Sequence, residues 1–172
     1  MRLQTYANAI NDSGEVAGSY TDSSSANHGF LFLPQNGHYT RFNEPTYVET
    51  LIQGINNRQD LSGQVAYKRS PIYGYYLTHA GAFTRFSVPN SAETFAQGLN
   101  NSGQVVGVWA DKNVISPGDH GFLRLPDGTF TTFDVPQGVG GTHAYGINDG
   151  GVIIATFYDL SGKGHGFIAT KK

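Results

Sequence analysis

The stretch FAQGLNNSGQVVGVWAD, residues 95–111, is matched without a gap by YANAINDSGEVAGSYTD at residues 6–22. One pattern written twice in 172 residues makes repetition the first question, because a missed repeat misreads the whole fold. The centre of the pattern returns as AIN at Ala9–Asn11, GIN at Gly54–Asn56, GLN at Gly98–Asn100 and GIN at Gly146–Asn148, at spacings of 45, 44 and 48 residues. A second marker keeps step with it: HGF at His28, YGY at Tyr73, HGF at His120 and HGF at His165. A third, YTRFNEP at 39–45, FTRFSVP at 83–89 and FTTFDVP at 130–136, shares the period. Three independent markers on one period define four repeats, at about 5–49, 50–93, 94–141 and 142–172, within one domain.

Inside a repeat the local signals are those of strands. After residue 14 no run free of Gly and Pro exceeds ten residues, which leaves no room for a helix of average length. Each repeat reads as strand a (TFAQGLN), an Asn-Ser-Gly turn, strand b (QVVGVWAD), a polar loop, strand c (HGFLRL), a Pro-Asp-Gly turn and strand d (TFTTFDVP). Short a–b and c–d turns force antiparallel hairpins. The sequence therefore predicts an all-β fold, a small β-propeller of about four blades with four antiparallel strands each. A lone four-stranded sheet cannot bury both faces, whereas copies packed face to face bury one another. Nothing after HGFIATKK corresponds to strand d, so the last blade is expected to be incomplete, with three strands. The second repeat is read as departing from the others, with Tyr73 in place of His and an insertion RQDL at 58–61.

Composition narrows the partners. With 11 basic and 13 acidic residues the net charge is −2, which offers no electrostatic footprint for nucleic acid or an anionic membrane surface. There is no cysteine, hence no disulfide framework, thiolate nucleophile or zinc ribbon. The start, MRLQTYANAI, carries no signal peptide pattern.

The series AINDSGEVAGSYTD with HGFLF, GLNNSGQVVGVWAD with HGFLRL, and GINDGGVIIATFYD with HGFIA resembles the HAF-type repeats of bacterial, often secreted proteins, whose mark is a His-Ala/Gly-Phe triplet. That resemblance covers essentially the whole chain. It implies a β-propeller-like module in an extracellular or cell-envelope setting, and it brings no catalytic residues or cofactor with it.

Four sets of side chains are candidates for chemistry. His28, His120 and His165 each follow an acid at the end of strand b, Asp22, Asp111 and Asp159, and the pairs are expected to fasten the b–c hairpins rather than hold a metal. The INDSG, LNNSG and INDGG turns lack the alternating acids of a calcium loop and read as turn chemistry. The most varied positions lie on strand a, the expected innermost strand: Asn8, Gln53, Gln97, His143 and Tyr145 are the predicted ligand-binding residues, a polar and aromatic set suited to carbohydrate. The leading expectation is a non-catalytic binding or interaction module. The alternative is a polysaccharide-active hydrolase or lyase using Glu49 and Glu93, two carboxylates at the entry to strand a. No metal or cofactor is expected. Self-association is expected to be weak and edge to edge along strand c of the last blade, in a mostly monomeric protein, with Lys171 and Lys172 opposing it.

Overall fold

The computed structural model describes residues 4–67, 71–112 and 118–170; Lys171 and Lys172 lie outside them. The chain is all-β. Blade 1 is the meander β1 (Thr5–Ile10), β2 (Val16–Thr21), β3 (Asn27–Leu33) and β4 (His38–Phe42). Blade 2 is β5 (Glu49–Ile55), β6 (Leu61–Ala66), β7 (Ile72–Leu77) and β8 (Phe83–Phe86). Blade 3 is β9 (Ser91–Leu99), β10 (Val105–Asp111), β11 (Asp119–Arg124) and β12 (Phe130–Phe133). Blade 4 has three strands, β13 (Thr142–Ile147), β14 (Ile153–Tyr158) and β15 (Gly164–Ala169). All pairings are antiparallel, and the blades form a four-blade β-propeller arrangement.

The core is divided among the blade boundaries. Ala17 of blade 1 packs with Ile52, Ile55 and Leu61 of blade 2; Phe86 and Val88 pack with Ala96, Leu99, Val105 and Phe122 of blade 3; Val106 packs with Ala144, Ile153 and Ala155 of blade 4. In each case strand a of one blade lies on strands b and c of the blade before it. Complete burial of one such side chain, Ile52 for example, contributes about 1.5 to 3 kcal/mol, so three similar boundaries supply most of the apolar stabilisation. Close approach within the first three blades leaves room only for glycine at one position of strand b, where blade 4 has Ala155: a Cβ on Gly107 would overlap the Phe95 carbonyl oxygen and stand 2.9 Å from the Phe122 ring.

A polar ladder ties the a–b turns together. Each turn begins with an Asn whose Oδ1 accepts backbone N–H groups of its own turn, as Asn11 does from Ser13 and Glu15. The side-chain nitrogen then crosses the boundary. Asn11 Nδ2 donates to the Asn56 carbonyl at 3.2 Å, and Asn100 Nδ2 to that of Asn148 at 3.1 Å. A neighbouring rail runs from the backbone N–H of Asp12 to Asn57 Oδ1, of Asn57 to Asn101 Oδ1, and of Asn101 to Asp149 Oδ1.

The second repeat corrects one expectation. RQDL is a replacement, not an insertion: the Asn56 N–H bonds to the Asp60 carbonyl as Asn11 bonds to Glu15 and Asn100 to Gln104. Gln59, at φ +61°, stands where the other turns place Gly14, Gly103 and Gly151 in the same left-handed region.

Candidate functional site

Every strand a carries a β-bulge, and the bulges fall at the variable positions. Register slips between Ala7 and Ala9, Ile52 and Gly54, and Ala144 and Gly146, and between the partners of Gly98 and Ala96, so that Asn8, Gln53, Tyr145 and Gln97 are the extra residues. A bulge breaks strict alternation and re-aims a side chain, which frees these positions from the packing that holds their neighbours alike.

The predicted residues divide into two groups. Asn8 and Gln53 share a cleft of about 350 Å³ between β1 and β5, together with Gln4, Tyr6, Asn27 and Leu51. Every lining residue is uncharged, the remainder being Ser19, Tyr20 and Thr21. Tyr6 is 54% exposed and donates its hydroxyl to Gln4 Oε1 at 2.9 Å. Asn8 has a structural duty as well, since its Nδ2 donates to the Ile52 carbonyl at 2.7 Å across the blade boundary and to Ser19 Oγ at 3.5 Å, while its Oδ1 has no hydrogen-bond partner among the described residues. The Gln53 side chain has no hydrogen-bond partner among the described residues. Tyr6, Gln4 and Asn27 are absent from the ligand set that the sequence predicts; Tyr6 is within reach of sequence reasoning, because it begins the variable face of strand a.

His143 and Tyr145 belong to a separate cluster on blade 4, and Gln97 lies outside both. His143 Nε2 stands 3.0 Å from Asp119 Oδ2 of β11, its ring 5.2 Å from that of Tyr158 and 6.3 Å from that of Tyr145. Burial first, and then the neighbouring Tyr158, push the Tyr145 phenol up to about 12. The five predicted residues therefore do not surround one site.

The Asp–His pairs form in blades 1 and 4. His28 Nε2 is 2.9 Å from Asp22 Oδ2, and His165 Nε2 is 2.8 Å from Asp159 Oδ2. Side-chain bonds from Ser24 and then His28 hold Asp22 well below the usual carboxylate range, and Ser161 and then His165 do the same for Asp159. In blade 3 the acid seen beside the imidazole is Asp134: His120 Nδ1 stands 2.8 Å from Asp134 Oδ2, as His28 Nδ1 stands 2.7 Å from the equivalent Asn43, and the His120 ring stacks on Trp109. Among the described residues no cluster of three or more His, Asp or Glu could hold a metal ion. Glu49 pairs with Ala66 and Glu93 with Ala110 in equivalent registers, so each stands at the mouth of its own blade. Their counterparts are Gln4 and Gly141, whose carbonyls accept from Thr21 and Tyr158. Neither Glu has a side-chain hydrogen bond or ion pair among the described residues, so no partner aims the two at one bond.

No family model matches the sequence, and no curated protein matches it. Among solved structures the chain is similar to a streptogramin B lyase, at 16% identity and a TM-score of 0.54 over 96% of this chain and 58% of that one. It is also similar to a catalytically inactive virginiamycin B lyase from Staphylococcus aureus with quinupristin, at 11% identity and a TM-score of 0.47 over 99% and 75%. The chain thus spans a little over half the length of the first neighbour. At 16% identity the likeness to the first is one of architecture, and together with the four repeated blades it supports a β-propeller repeat protein.

Proposed function

We propose that the chain is a non-catalytic binding module whose ligand is a neutral glycan, taken up in the cleft between β1 and β5. The observation that carries the reading is the lining: amides, hydroxyls and the exposed Tyr6 ring, with no charged side chain among them. A sugar presents apolar ring faces and a belt of hydroxyls, which an aromatic face and side-chain amides with spare hydrogen-bonding capacity satisfy without ionic help. Tyr6 would stack on the ring, and Gln53 with Asn8 Oδ1 would take the hydroxyls. The resemblance to HAF-type repeats supports an extracellular or envelope setting, where such ligands are met. The hydrolase or lyase reading rests on Glu49 and Glu93, which lie outside the cleft, and the enzymatic activity of a fold neighbour at 16% identity transfers no chemistry.

The test is a glycan microarray followed by calorimetry with the best neutral oligosaccharide, with product analysis of the same mixtures. Binding that Tyr6→Ala and Gln53→Ala each weaken is expected. Binding only of acidic polymers, or binding indifferent to both substitutions, would refute the reading. Shortened oligosaccharide products would refute its non-catalytic part.

A further inference from the structure

The three blade boundaries are built alike, and the two outer faces of the set carry the halves of a fourth. On each inner boundary strand a supplies a pair of apolar residues to the preceding blade: Ile52 and Ile55 of β5, Ala96 and Leu99 of β9, Ala144 and Ile147 of β13. The corresponding residues of β1 are Ala7 and Ile10, and Ile10 is 67% exposed where Ile55 is 6%. The receiving surface consists of strands b and c. Ala17 and Val106 there are fully buried under the next blade, whereas Ile154 of β14 and Ile168 of β15, paired across those strands, are 57% and 68% exposed. Thr50, Thr94 and Thr142 each accept a backbone N–H from the preceding blade's exit, while their counterpart Thr5 lines an open groove.

The polar ladder breaks at the same two places. Asn11, Asn56 and Asn100 each send Nδ2 to the next blade; Asn148 Nδ2 has no acceptor among the described residues. The carbonyls of Asn56, Asn100 and Asn148 each take such a donor, and that of Asn11 takes only its own turn's Gly14 N–H. Among the described residues no hydrogen bond joins blade 4 to blade 1. A spare donor and apolar receiver at one end thus complement a spare acceptor and apolar insert at the other.

From this continuity with the internal boundaries we infer that a second copy of the chain docks head to tail, β1 of each copy seated on β14 and β15 of its partner, so that two chains close one eight-bladed ring. Ile10 enters against Ile154 and Ile168, and Asn148 Nδ2 donates to the Asn11 carbonyl of the other copy. Each rail then brings Asp149 beside Asp12, positions where the inner boundaries always have at least one Asn. Two neighbouring carboxylates repel, and salt screens the repulsion, so the association strengthens with ionic strength. This contact uses blade faces, and it is distinct from strand pairing along the β15 edge.

Sedimentation velocity on the 172-residue chain tests it. A concentration-dependent two-copy species, tighter at higher salt, is expected. Ile10→Asp alone and Ile168→Asp alone should each abolish it, both being exposed changes whose folding circular dichroism can check. An equimolar mixture of the two variants should recover association, because one boundary then joins two unaltered faces. Asn148→Ala should weaken association several-fold without removing it. A wild-type chain that stays monomeric at high micromolar concentration, open-ended growth beyond two copies, single variants that still associate, or a mixture that does not, would each overturn the inference.

Discussion

Asn56 reaches from one blade to the next: its Nδ2 donates to the Asn100 carbonyl at 3.2 Å and also to Asp60 Oδ2 at 2.9 Å, while its Oδ1 accepts from the N–H groups of Arg58 and Asp60. One buried side chain therefore closes its own turn and holds the neighbouring one. Asn56→Ala should cost about 2 to 3 kcal/mol, since it leaves buried backbone groups unpaired. Asn148→Ala, at the exposed end of the ladder, should cost less than about 1 kcal/mol by the same reasoning. Paired denaturant titrations check the contrast, and equal losses would show that the crossing bond adds nothing.

Gly107 and Gly166 separate two roles of glycine in a strand. A methyl on Gly107 would overlap the Phe95 carbonyl, and Gly107→Ala should destabilise by about 3 kcal/mol or more because the overlap is with backbone. A methyl on Gly166 would meet nothing within 4 Å, so Gly166→Ala should change stability by no more than about 0.5 kcal/mol. Thermal melts of both variants are the measurement.

Asp60 sets a pH dependence. Burial alone would raise its pKa, but bonds from Asn56, the His79 N–H, Tyr76 and Arg58 outweigh burial and lower it. A carboxylate with a depressed folded pKa binds fewer protons folded than unfolded. Its stabilisation is fully present above the ordinary carboxylate pKa and is lost as pH falls through the folded value. Asp22 and Asp159 act in the same direction. Midpoints of unfolding should fall steeply in strong acid, and Asp60→Asn should flatten that fall while lowering stability at neutral pH.

Ligand binding should distinguish the two strand-a clusters. Tyr6→Ala should weaken glycan binding by about 1 to 3 kcal/mol, the scale of a lost aromatic anchor. Tyr145→Ala, in the blade 4 cluster, should leave it unchanged. Calorimetry with the same oligosaccharide reads both, and the reverse pattern would move the site to His143 and Tyr145.

The architecture is legible in the sequence because repetition multiplies weak signals: a single Asn-Ser-Gly turn says little, but four related turns in register with HGF define strands, order and the three-stranded last blade. Partner choice within a blade is harder to read. Analogy with His28 and Asp22 pairs His120 with Asp111, and does not reveal that Asp134, in the place of Asn43 and Ser87, offers a carboxylate from strand d. The RQDL turn reads as an insertion because Gln59 takes a backbone region usually left to glycine, so the eye looks for a missing Gly. The axial ligand set is partly legible. Period-2 reasoning selects the variable positions, but it cannot tell that the neighbouring strands β1 and β5 bring Asn8 and Gln53 into one cleft while Tyr145 sits on blade 4, nor that each position is a bulge, a register slip that no side chain advertises. The exposure of β1 is invisible for a similar reason, since Ala7 and Ile10 carry the same pattern as their buried counterparts.

The bulge in each strand a separates what a blade must keep from what it is free to change. Ladder, glycine contact and apolar insert all sit at positions whose partners constrain them, while the extra residue beside them has no cross-strand counterpart to satisfy. A combinatorial library confined to Gln53, Gln97 and Tyr145 should consequently retain cooperative folding across most of its members while diversifying what the surface recognises. Asn8 would be the exception, tethered as it is to the Ile52 carbonyl. In evolutionary terms, such a chain can change its ligand specificity without renegotiating its fold.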